Sequence, residues 1–475
     1  MEQITPLTHL MASERESNVV VAITEDICIS WQEFTQEVAF WFSLFSHSTA
    51  QSWVLYTRDS YQFAAILVAL WHAKKKVVLP GNNLMESLQY LVGVADAFVG
   101  DFSQEILDRL GFKGEFLQES PTLRKTISVG EGFSTSEILN AEHVAVTVFT
   151  SGSTGEPKPI EIKFSQLNQE LRCHESLWGT ELGVTPILAT VSHQHLYGLI
   201  FKVLWPLSAA RPFYNPMIDV VEELVRQAQK YKEQFNKVVV VTTPSHLSRL
   251  PETILWQKLT GCWAKIFSSA APLSFNDSEN AKEKFATDIT EIYGSSETGG
   301  IAWRQQTSAS GDIWQCFPGV KIAQEMNTRT LKLKSLFLPS TQWFDTADKV
   351  ELVSSDSFRL CGRIDRIAKV EGKRVSLTAL ENVLVLNEDV AEARVLLKQD
   401  RRMQTYAVIK LSAYGAALLA QSGRKAVSDK LRKYMLQQFE AVVVPRKWRY
   451  VNDFPCDEQG KVSQQKLLQL FDAEI

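Results

Sequence analysis

The sequence predicts an α/β protein with a large N-terminal domain of parallel-rich sheets layered with helices and a small α+β C-terminal domain. Its 475 residues are too many for one simple hydrophobic core, so we expect two or three domains. Short apolar runs alternate with amphipathic stretches, which is typical of β-α units around a largely parallel sheet. From about residue 363 the pattern changes to two strands followed by a helix, which indicates the smaller unit.

The bounds of the individual elements follow from where the apolar runs begin and end. Strands are predicted at residues 53–57, 77–80, 144–150, 160–164, 237–241, 265–267 and 289–293. One helix is predicted over residues 61–73, and Asp219 is the predicted N-cap of a second helix that runs to Gln234. The apolar face of that second helix contains Val220, Val221, Leu224 and Ala228. The C-terminal unit has predicted strands at 392–397 and 405–411 and a predicted helix at 425–438.

Four of these predicted strands end in segments rich in Ser, Thr, Gly and Pro. The segments follow Phe149, Val241, Phe267 and Ile292. In open α/β sheets, ligands bind beyond the carboxyl ends of the strands. We therefore expect the functional site at these four segments.

Cysteine usage and hydropathy indicate the cellular compartment in which the protein is expected. The six cysteines are scattered, with no CxxC pair, which argues against a zinc site and a disulfide framework and fits a reducing cytoplasm. The N-terminus lacks a basic region followed by an apolar run, so no secretory signal is expected. The longest apolar stretches, such as residues 63–71, are too short to span a bilayer. The prediction is a cytoplasmic protein without a membrane span or a nucleic-acid partner.

Charge is distributed unevenly along the chain. Residues 363–475 contain 20 Lys and Arg against 14 Asp and Glu, whereas residues 1–362 contain 30 against 40. A basic segment can attract polyanionic partners, but it can equally be an ordinary solvated surface. Both interpretations stay open from charge alone.

The segment Thr150-Ser-Gly-Ser-Thr-Gly-Glu-Pro-Lys-Pro159 has the composition of a phosphate-binding loop. Gly152 and Gly155 allow successive backbone N–H groups to turn toward an anion. The hydroxyls of Ser151, Ser153 and Thr154 add donors, and Lys158 adds a cation that can reach phosphate oxygens. No GK[ST] follows the glycines, so this is not a Walker A loop. A flexible Ser/Gly surface loop would have the same composition.

This segment resembles the phosphate loop of the adenylate-forming superfamily, which includes acyl-CoA synthetases, the adenylation domains of peptide synthetases and firefly luciferase. Residues Tyr293-Gly-Ser-Ser-Glu-Thr-Gly299 resemble the second signature of that family. The resemblance implies that Tyr293 supplies a stacking face, Gly294 a tight turn, Glu297 a Mg²⁺ ligand and Thr298 a contact to the α-phosphate. Mg²⁺ prefers one or two protein oxygens together with phosphate oxygens, and Thr150 is the second expected ligand. A polar turn between two strands is the alternative interpretation of this heptapeptide.

Further motifs follow in the order that the family has them. Ser268-Ser-Ala-Ala-Pro-Leu273 is similar to a strand end against which the adenine lies, and its contacts would come from Ala270, Ala271 and Pro272. Tyr293, Gly294, Ser295 and Ser296 complete the expected nucleotide contacts. His193-Gln-His-Leu-Tyr-Gly198 is similar to a family segment that places His195 beside the acyl pocket, although a histidine in an apolar stretch is more often a packed core residue.

The C-terminal motifs imply a second, mobile lobe. Phe344-Asp-Thr-Ala-Asp-Lys349 resembles the ribose motif with Ala347 in place of its glycine, and it leaves Asp348 in register for the diol. In residues 362–374 the resemblance implies a ribose contact by Arg363, a hinge at Asp365, and close approach of the thiol acceptor's arm to Gly372. Lys461, in Pro455-Cys-Asp-Glu-Gln-Gly-Lys-Val462, would be the catalytic cation, although the family's downstream arginine is absent.

The implied domains are residues 1–362, which bind AMP, and residues 363–475, which carry the catalytic lysine. The implied reaction activates an aryl or fatty acid with ATP and Mg²⁺ to acyl-AMP, releases pyrophosphate, and transfers the acyl group to CoA or to carrier-protein phosphopantetheine. Two alternatives remain: another use of the adenylate, either acyl-AMP as the product or oxygenation, and a silent nucleotide-binding homologue. Retention of Lys158, Glu297, Asp348, Arg363 and Lys461 argues against the silent homologue.

The acyl pocket and the acceptor surface are expected at defined positions. The pocket would be formed near Trp178, His195, Tyr197, Ser245, Ser268, Gly299, Gly300 and Ile301. The basic C-terminal residues Arg446, Lys447 and Arg449 would suit either CoA phosphates or an acidic carrier-protein helix.

Overall fold

A computed structural model describes most of the chain, and its residues group into two compact units. The described residues are 4–25, 27–119, 133–151, 157–307, 313–370, 373–399, 403–455 and 462–472. The first unit contains Met1–Gly311, Gln315–Val320 and Ser335–Gln342. The second unit contains Asp312–Trp314, Lys321–Lys334 and Trp343–Ile475. The predicted boundary between an N-terminal domain of residues 1–362 and a mobile C-terminal domain of residues 363–475 stays a prediction.

The first unit contains a six-stranded sheet. In sheet order its strands are Glu115–Leu117, Ala97–Gly100, Ser52–Tyr56, Lys76–Leu79, Val144–Ser151 and Pro157–Lys163. The first five run parallel, and the last two pair antiparallel. The central strands are buried on both faces and read as continuous apolar runs, as parallel strands covered by helices do.

A second sheet of the first unit contains a longer parallel stretch. In sheet order its strands are Ile27–Ser30, Val20–Thr24, Phe213–Tyr214, Ile187–Ala189, Val238–Thr242, Trp263–Ser268, Ile289–Ser295 and Gly299–Gln305. The strands from Val20–Thr24 to Ile289–Ser295 are parallel to one another. At the two ends of this run, Ile27–Ser30 pairs antiparallel with Val20–Thr24, and Gly299–Gln305 pairs antiparallel with Ile289–Ser295. Gly299–Gln305 also pairs antiparallel with Gln315 and Cys316 of the strand Ile313–Cys316.

Helices cover these sheets. The α-helices are Trp31–His47, Ser60–His72, Met85–Leu91, Gln104–Arg109, Phe164–Leu182, Leu196–Gly198, Trp205–Ser208, Val221–Phe235, Pro244–Leu247 and Phe275–Phe285. Short 3₁₀ turns lie at Leu7–His9 and Trp256–Leu259, and a π-helical segment lies at Leu199–Leu204. The helix Ser60–His72 begins where it does because the Asp59 carboxylate accepts the Gln62 N–H at 2.7 Å.

The second unit is built mainly of antiparallel strands. Its strands are Lys321–Gln324, Thr330–Lys334, Phe344–Leu352, Ser357–Arg363, Ile367–Val370, Lys373–Ser376, Val390–Gln399, Met403–Leu411 and Lys447–Val451. Its helices are Leu377–Val385, Ala413–Met435 and Gln464–Gln469, and a 3₁₀ turn lies at Ile364–Arg366. In the described parts of both units, no helix has the length and apolar character needed to cross a membrane.

Most of the predicted elements are confirmed, with bounds that shift by one to three residues. The Asp219 N-cap is wrong, because the second helix is Val221–Phe235 and its N-cap is Val220, without a side-chain cap. Val220 is also exposed and does not belong to the apolar face, whereas Leu224 and Ala228 are buried. The segment Ala413–Met435 consists of two helices that are separated by non-helical backbone at Gly423, where φ is +75°. The predicted helix at residues 425–438 is confirmed as the second of these, and the first was not predicted.

Candidate active site

The predicted phosphate loop connects two antiparallel strands. Thr150 pairs with Lys158, and Ser151 pairs with Pro157. The strand predicted to follow the loop is confirmed as Pro157–Lys163, and Lys158 is exposed on it. Gly152, Ser153, Thr154 and Gly155 lie outside the described residues. The strand Val144–Ser151 runs on past Phe149 and includes Thr150 and Ser151, the first two residues of the predicted loop.

The heptapeptide that resembles the second signature forms a β-hairpin. Ile289–Ser295 and Gly299–Gln305 pair antiparallel, and Ser296, Glu297 and Thr298 form the turn. Glu297 is exposed at this turn, whereas Thr298 is 1% exposed. The Thr298 hydroxyl accepts the Ser295 N–H at 3.1 Å and donates to the Gly299 carbonyl at 2.9 Å. Thr298 therefore stabilises the turn that presents Glu297, and its contact to an α-phosphate stays a prediction.

Gly294 does not form the tight turn that was expected of it. It lies within the strand Ile289–Ser295, opposite Gly300. A Cβ at residue 294 would lie 2.3 Å from the Gly299 carbonyl oxygen, so a side chain is excluded there by the paired strand. The glycine is required by close backbone approach and not by the conformation of a turn.

The expected adenine segment lies next to this hairpin. The Ser269 hydroxyl donates to the Ile292 carbonyl at 2.8 Å. Ala270 has a φ of +77°, in the left-handed region, and turns the chain where the strand Trp263–Ser268 ends. Ala270 and Ala271 are half-buried, Pro272 is exposed, and Tyr293 is half-buried. The hydrogen bond holds the small residues beside the signature hairpin.

A pocket of about 360 Å³, counting the part open to solvent, lies against the hairpin. Its apolar wall is formed by Ile160, Ile162, Leu167, Leu196, Phe337 and Pro339. Its carboxylates are Glu161, Glu170 and Glu297, and Ser296 and Gly299 also line it. The pocket therefore joins the strand that carries Lys158 to the turn that carries Glu297. Of the residues that were expected to form the acyl pocket, Gly299 lines this pocket. Three of the others, Trp178, Ser268 and Ile301, are buried and do not line it.

Glu170 is a site residue that sequence reasoning missed. It lies on the helix Phe164–Leu182, which begins directly after the strand that carries Lys158. Its Oε1 accepts the Gly300 N–H at 2.8 Å, so it anchors the hairpin to this helix. Glu170 and His174 both occupy the apolar face of the helix, one turn apart, and this interruption of the pattern is the signal that could have revealed them.

His174 is fully buried beside Glu170. Its Nε2 lies 3.7 Å from Glu170 Oε1, which is too long for a hydrogen bond. Neither of its ring nitrogens has a hydrogen-bond partner among the described residues. Four aromatic rings, those of Phe201, Phe317, Trp205 and Trp178, lie with centroids 4.7 to 5.7 Å from the imidazole. His174 is thus part of an aromatic core behind the pocket.

His195 lies at the edge of this region. It is half-buried at the start of the short helix Leu196–Gly198, next to the pocket-lining Leu196. The neighbouring His193 is more buried and contacts Ser60 Oγ at 3.0 Å and the Thr57 carbonyl at 2.9 Å. Burial lowers the pKa of His193 well below its usual value, so its imidazole is neutral. His193 is a packed core residue, and the role of His195 stays a prediction.

Lys202 is a second group that sequence reasoning missed. It is fully buried, and its Nζ donates to the carbonyls of Asn215 and Pro216 at 3.3 Å. Burial lowers its pKa to about 7, although the nearby carboxylates of Asp59 and Asp219 act in the opposite direction. It lies in an apolar run, where sequence alone does not distinguish a buried lysine from one whose ammonium reaches the surface.

The predicted ribose residues meet in the second unit. Asp348 and Arg363 occupy paired positions of two antiparallel strands, and Arg363 Nη1 donates to Asp348 Oδ1 at 3.1 Å. The backbone of Asp365 lies in the 3₁₀ turn Ile364–Arg366, directly after the strand that carries Arg363. Gly372 and Lys461 lie outside the described residues, so their roles stay predictions.

The donor set around Glu297 fits Mg²⁺ held jointly with phosphate. No group of three or more His, Cys, Asp or Glu side chains within the described ranges is arranged to hold a metal ion alone. Mg²⁺ needs only one or two protein oxygens when phosphate oxygens complete its shell. The exposed Glu297 carboxylate at the hairpin turn can supply one.

Comparison with known proteins places the sequence in a family. A family model described as AMP-binding enzyme matches residues 60–325, more than half of the chain. Tyrocidine synthase 3 from Brevibacillus parabrevis is 23% identical over 438 residues, which cover 82% of this chain and 6% of that protein. 4-Coumarate–CoA ligase from Cereibacter sphaeroides is 25% identical over 318 residues, covering 67% of this chain and 70% of that protein. The 3,4-dihydroxybenzoate–(aryl-carrier protein) ligase from Bacillus anthracis is 25% identical over 341 residues, which cover 71% of this chain and 77% of that protein.

Solved structures share the fold over nearly the whole chain. ATP-bound MatB from Rhodopseudomonas palustris has a TM-score of 0.79 at 17% identity and covers 98% of this chain and 99% of its own. A benzoate CoA ligase from Burkholderia xenovorans LB400 has a TM-score of 0.77 at 15% identity, with coverage of 98% and 99%. The predicted fold class and the predicted resemblance are thereby confirmed. With a family model matching more than half of its length, this chain belongs to the AMP-binding enzyme family.

Proposed function

We propose that this protein is an ATP-dependent, AMP-forming acid–thiol ligase. The observation that carries this proposal is the pocket that joins two signatures, since it is lined by residues 160–162 after the phosphate loop and by Ser296, Glu297 and Gly299 of the hairpin. One signature would bind phosphate oxygens and the other would present a carboxylate for Mg²⁺. The substrate is a carboxylic acid, with aryl acids ahead of fatty acids.

In the first step an oxygen of the acid's carboxylate attacks the α-phosphorus of ATP. A P–O bond to the acid forms, the bond from the α-phosphorus to the bridging oxygen breaks, and pyrophosphate leaves with that oxygen. No side-chain nucleophile is required, so catalysis consists of positioning and charge stabilisation. When bound to Glu297 and Thr150, Mg²⁺ supplies positive charge to the phosphates. Lys158 and Lys461 supply the remaining cations, and Asp348 and Arg363 bind the ribose.

In the second step a thiol attacks the acyl carbon of the adenylate and AMP leaves. CoA or the phosphopantetheine of a carrier protein supplies this thiol. Rotation about Asp365 would withdraw Lys461 and bring the backbone at Gly372 to the acceptor's arm. The five cysteines within the described residues, Cys28, Cys173, Cys262, Cys316 and Cys361, are free thiols, which supports a reducing, cytoplasmic setting.

Pyrophosphate exchange tests the first step. Wild-type protein is incubated with ATP, MgCl₂, labelled pyrophosphate and one acid at a time from a panel of benzoates, cinnamates and fatty acids. We expect acid-dependent incorporation of label into ATP that is abolished by a Mg²⁺ chelator. A panel without any exchange would leave a silent nucleotide-binding homologue as the better interpretation.

Product analysis separates the remaining alternatives. With an acid that supports exchange, CoA and a phosphopantetheinylated carrier protein are added separately, and thioesters are measured by mass spectrometry. A thioester with either acceptor supports the ligase. Accumulation of acyl-AMP without a thioester, or consumption of oxygen, would instead indicate another use of the adenylate.

A further inference from the structure

The pocket contains a buried carboxylate that the proposed reaction does not use. Glu170 lines the pocket and is only 5% exposed. Its Oε1 accepts the Gly300 N–H at 2.8 Å. No described residue donates a hydrogen bond to its second oxygen, Oε2. That oxygen lies against Gly299, another residue that lines the pocket, since a Cβ built on Gly299 would lie 2.7 Å from it.

A buried carboxylate is costly unless its oxygens accept hydrogen bonds. One backbone N–H satisfies one oxygen of Glu170. His174 does not satisfy the other, because its nearest nitrogen lies 3.7 Å away and on the side of Oε1. Oε2 of Glu170 can therefore accept a hydrogen bond from a molecule that occupies the pocket.

The other walls favour the carbon skeleton of an acid. Ile160, Ile162, Leu196 and Phe337 present apolar surface, while Glu297 lies at the hairpin turn where the Mg²⁺ and phosphates are expected. An acid whose reacting carboxylate points toward that turn would direct the rest of its skeleton toward the apolar walls and Glu170. An unsubstituted skeleton would remove water from Oε2 and offer no donor in return.

We propose that Glu170 determines substrate specificity by accepting a hydrogen bond from a hydroxyl or amino group on the organic part of the acid. This inference rests on the proposed function and narrows its substrate class to hydroxy- or amino-substituted acids, ahead of unsubstituted aryl or fatty acids. Sites built to accept a substrate O–H or N–H discriminate strongly against analogues that lack it.

Matched acids test the proposal. Benzoate is compared with its 2-, 3- and 4-hydroxy and amino derivatives, and octanoate with its hydroxylated and aminated derivatives. We measure kcat/KM for pyrophosphate exchange and, separately, the Kd of each acid by calorimetry. At least one substituted acid should exceed its parent at least 10-fold in both quantities. The hydroxyl and amino series together show which donor is preferred.

Glu170→Gln keeps an amide oxygen for the Gly300 N–H and places an NH₂ where Oε2 was. The ratio of substituted to parent acid should fall to about one. Glu170→Asp, which withdraws the carboxylate by one methylene, should also lower this ratio. It replaces the glutamine variant in the test if that variant does not fold. Glu142→Gln is the matched control, because Glu142 is an exposed carboxylate that does not line the pocket.

Two outcomes would overturn the proposal. One is equal or tighter binding of the parent acids by the wild type, and the other is an unchanged ratio in the folded Glu170 variants. Failure of the proposed function looks different: exchange is absent with every acid, while calorimetry still shows tighter, Glu170-dependent binding of substituted acids. That pattern would support the role of Glu170 and reject the ligase.

Discussion

Arg363 Nη1 donates to Asp348 Oδ1 at 3.1 Å, across paired positions of two antiparallel strands. The Asp348 side chain is 17% exposed and that of Arg363 is 47% exposed. Exposed ion pairs contribute about 0 to 1 kcal/mol, so separation of this pair to admit a ribose would cost little. The two residues predicted to bind the same sugar are therefore already adjacent.

Asp348→Asn should weaken nucleotide binding. The amide keeps one acceptor but loses the charge that strengthens hydrogen bonds from a diol, and such bonds contribute about 1.5 to 3 kcal/mol. We expect the KM for ATP to rise roughly 10- to 100-fold with little change in thermal stability. Steady-state exchange assays at varied ATP measure this. Asp345→Asn, an exposed position of the same strand, is the control, and an unchanged KM in Asp348→Asn would reject the ribose contact.

Lys461→Ala should impair acyl-AMP formation selectively. Loss of one positioned charge at a developing phosphoryl centre typically costs about 100- to 1000-fold in kcat. ATP binding and transfer from pre-formed acyl-AMP to the thiol should change little, because Lys461 is expected to be withdrawn in the second step. The two half-reactions are measured separately, with Lys466→Ala on the helix Gln464–Gln469 as control. Full-speed adenylation by Lys461→Ala would contradict the mechanism.

Gly294→Ala should destabilise the signature hairpin. Its new Cβ would lie 2.3 Å from the Gly299 carbonyl oxygen, and backbone on the paired strand cannot move aside cheaply. We expect a loss of about 1 to 3 kcal/mol in the free energy of unfolding, together with reduced exchange activity. Urea unfolding measures the first. Gly93→Ala is the matched control, because its Cβ meets only the Tyr90 carbonyl oxygen at an ordinary 3.6 Å. Equal stability of both variants would refute this reason for the glycine.

Lys202 should make stability rise with pH above neutrality. Burial lowers its folded-state pKa to about 7 from 10.5, so between these values the unfolded chain binds up to one more proton than the folded chain. The free energy of unfolding contributed by this group therefore increases by at most about 1.4 kcal/mol per pH unit from pH 7 upward and is flat below pH 7.

Comparison with Lys202→Met isolates this contribution. The variant removes the titrating group but also the hydrogen bonds to Asn215 and Pro216, which adds an offset that does not depend on pH. The free energy of unfolding of the wild type minus that of the variant should grow between pH 7 and 9.5. Parallel curves over that range would show that Lys202 stays protonated.

The basic C-terminal residues divide into two groups. Arg446 and Lys447 are exposed, although the Lys447 ammonium lies 5.0 Å from the Tyr406 ring. Arg449 is half-buried, its Nε donates to the Leu470 carbonyl at 2.9 Å, and its guanidinium lies 5.1 Å from the Phe471 ring. We expect the double variant Arg446→Glu, Lys447→Glu to raise the KM for the thiol acceptor and to leave pyrophosphate exchange unchanged. Arg449→Glu should instead lower the thermal stability of the second unit. Unchanged acceptor kinetics in the double variant would reject this surface as the acceptor contact.

Sequence by itself was sufficient for features that depend on neighbouring residues. Apolar runs predicted the strands Ser52–Tyr56 and Val238–Thr242 because a buried strand is apolar along its own short segment of sequence. The phosphate loop and the signature hairpin were found for a similar reason, since their glycines and hydroxyl residues occur together in short segments. Asp219 shows the limit, because a suitable capping residue lies one position before the actual N-cap.

Only the tertiary structure decided how distant segments constrain one another. Glu170 and Gly300 are 130 positions apart, and their hydrogen bond turns a helical residue into part of the pocket. Gly294 is required by a carbonyl on the paired strand, although the motif suggested a turn. The charge of Lys202 depends on burial that many segments create together. Desolvation, steric exclusion and hydrogen bonding act through space, so local periodicity does not contain them.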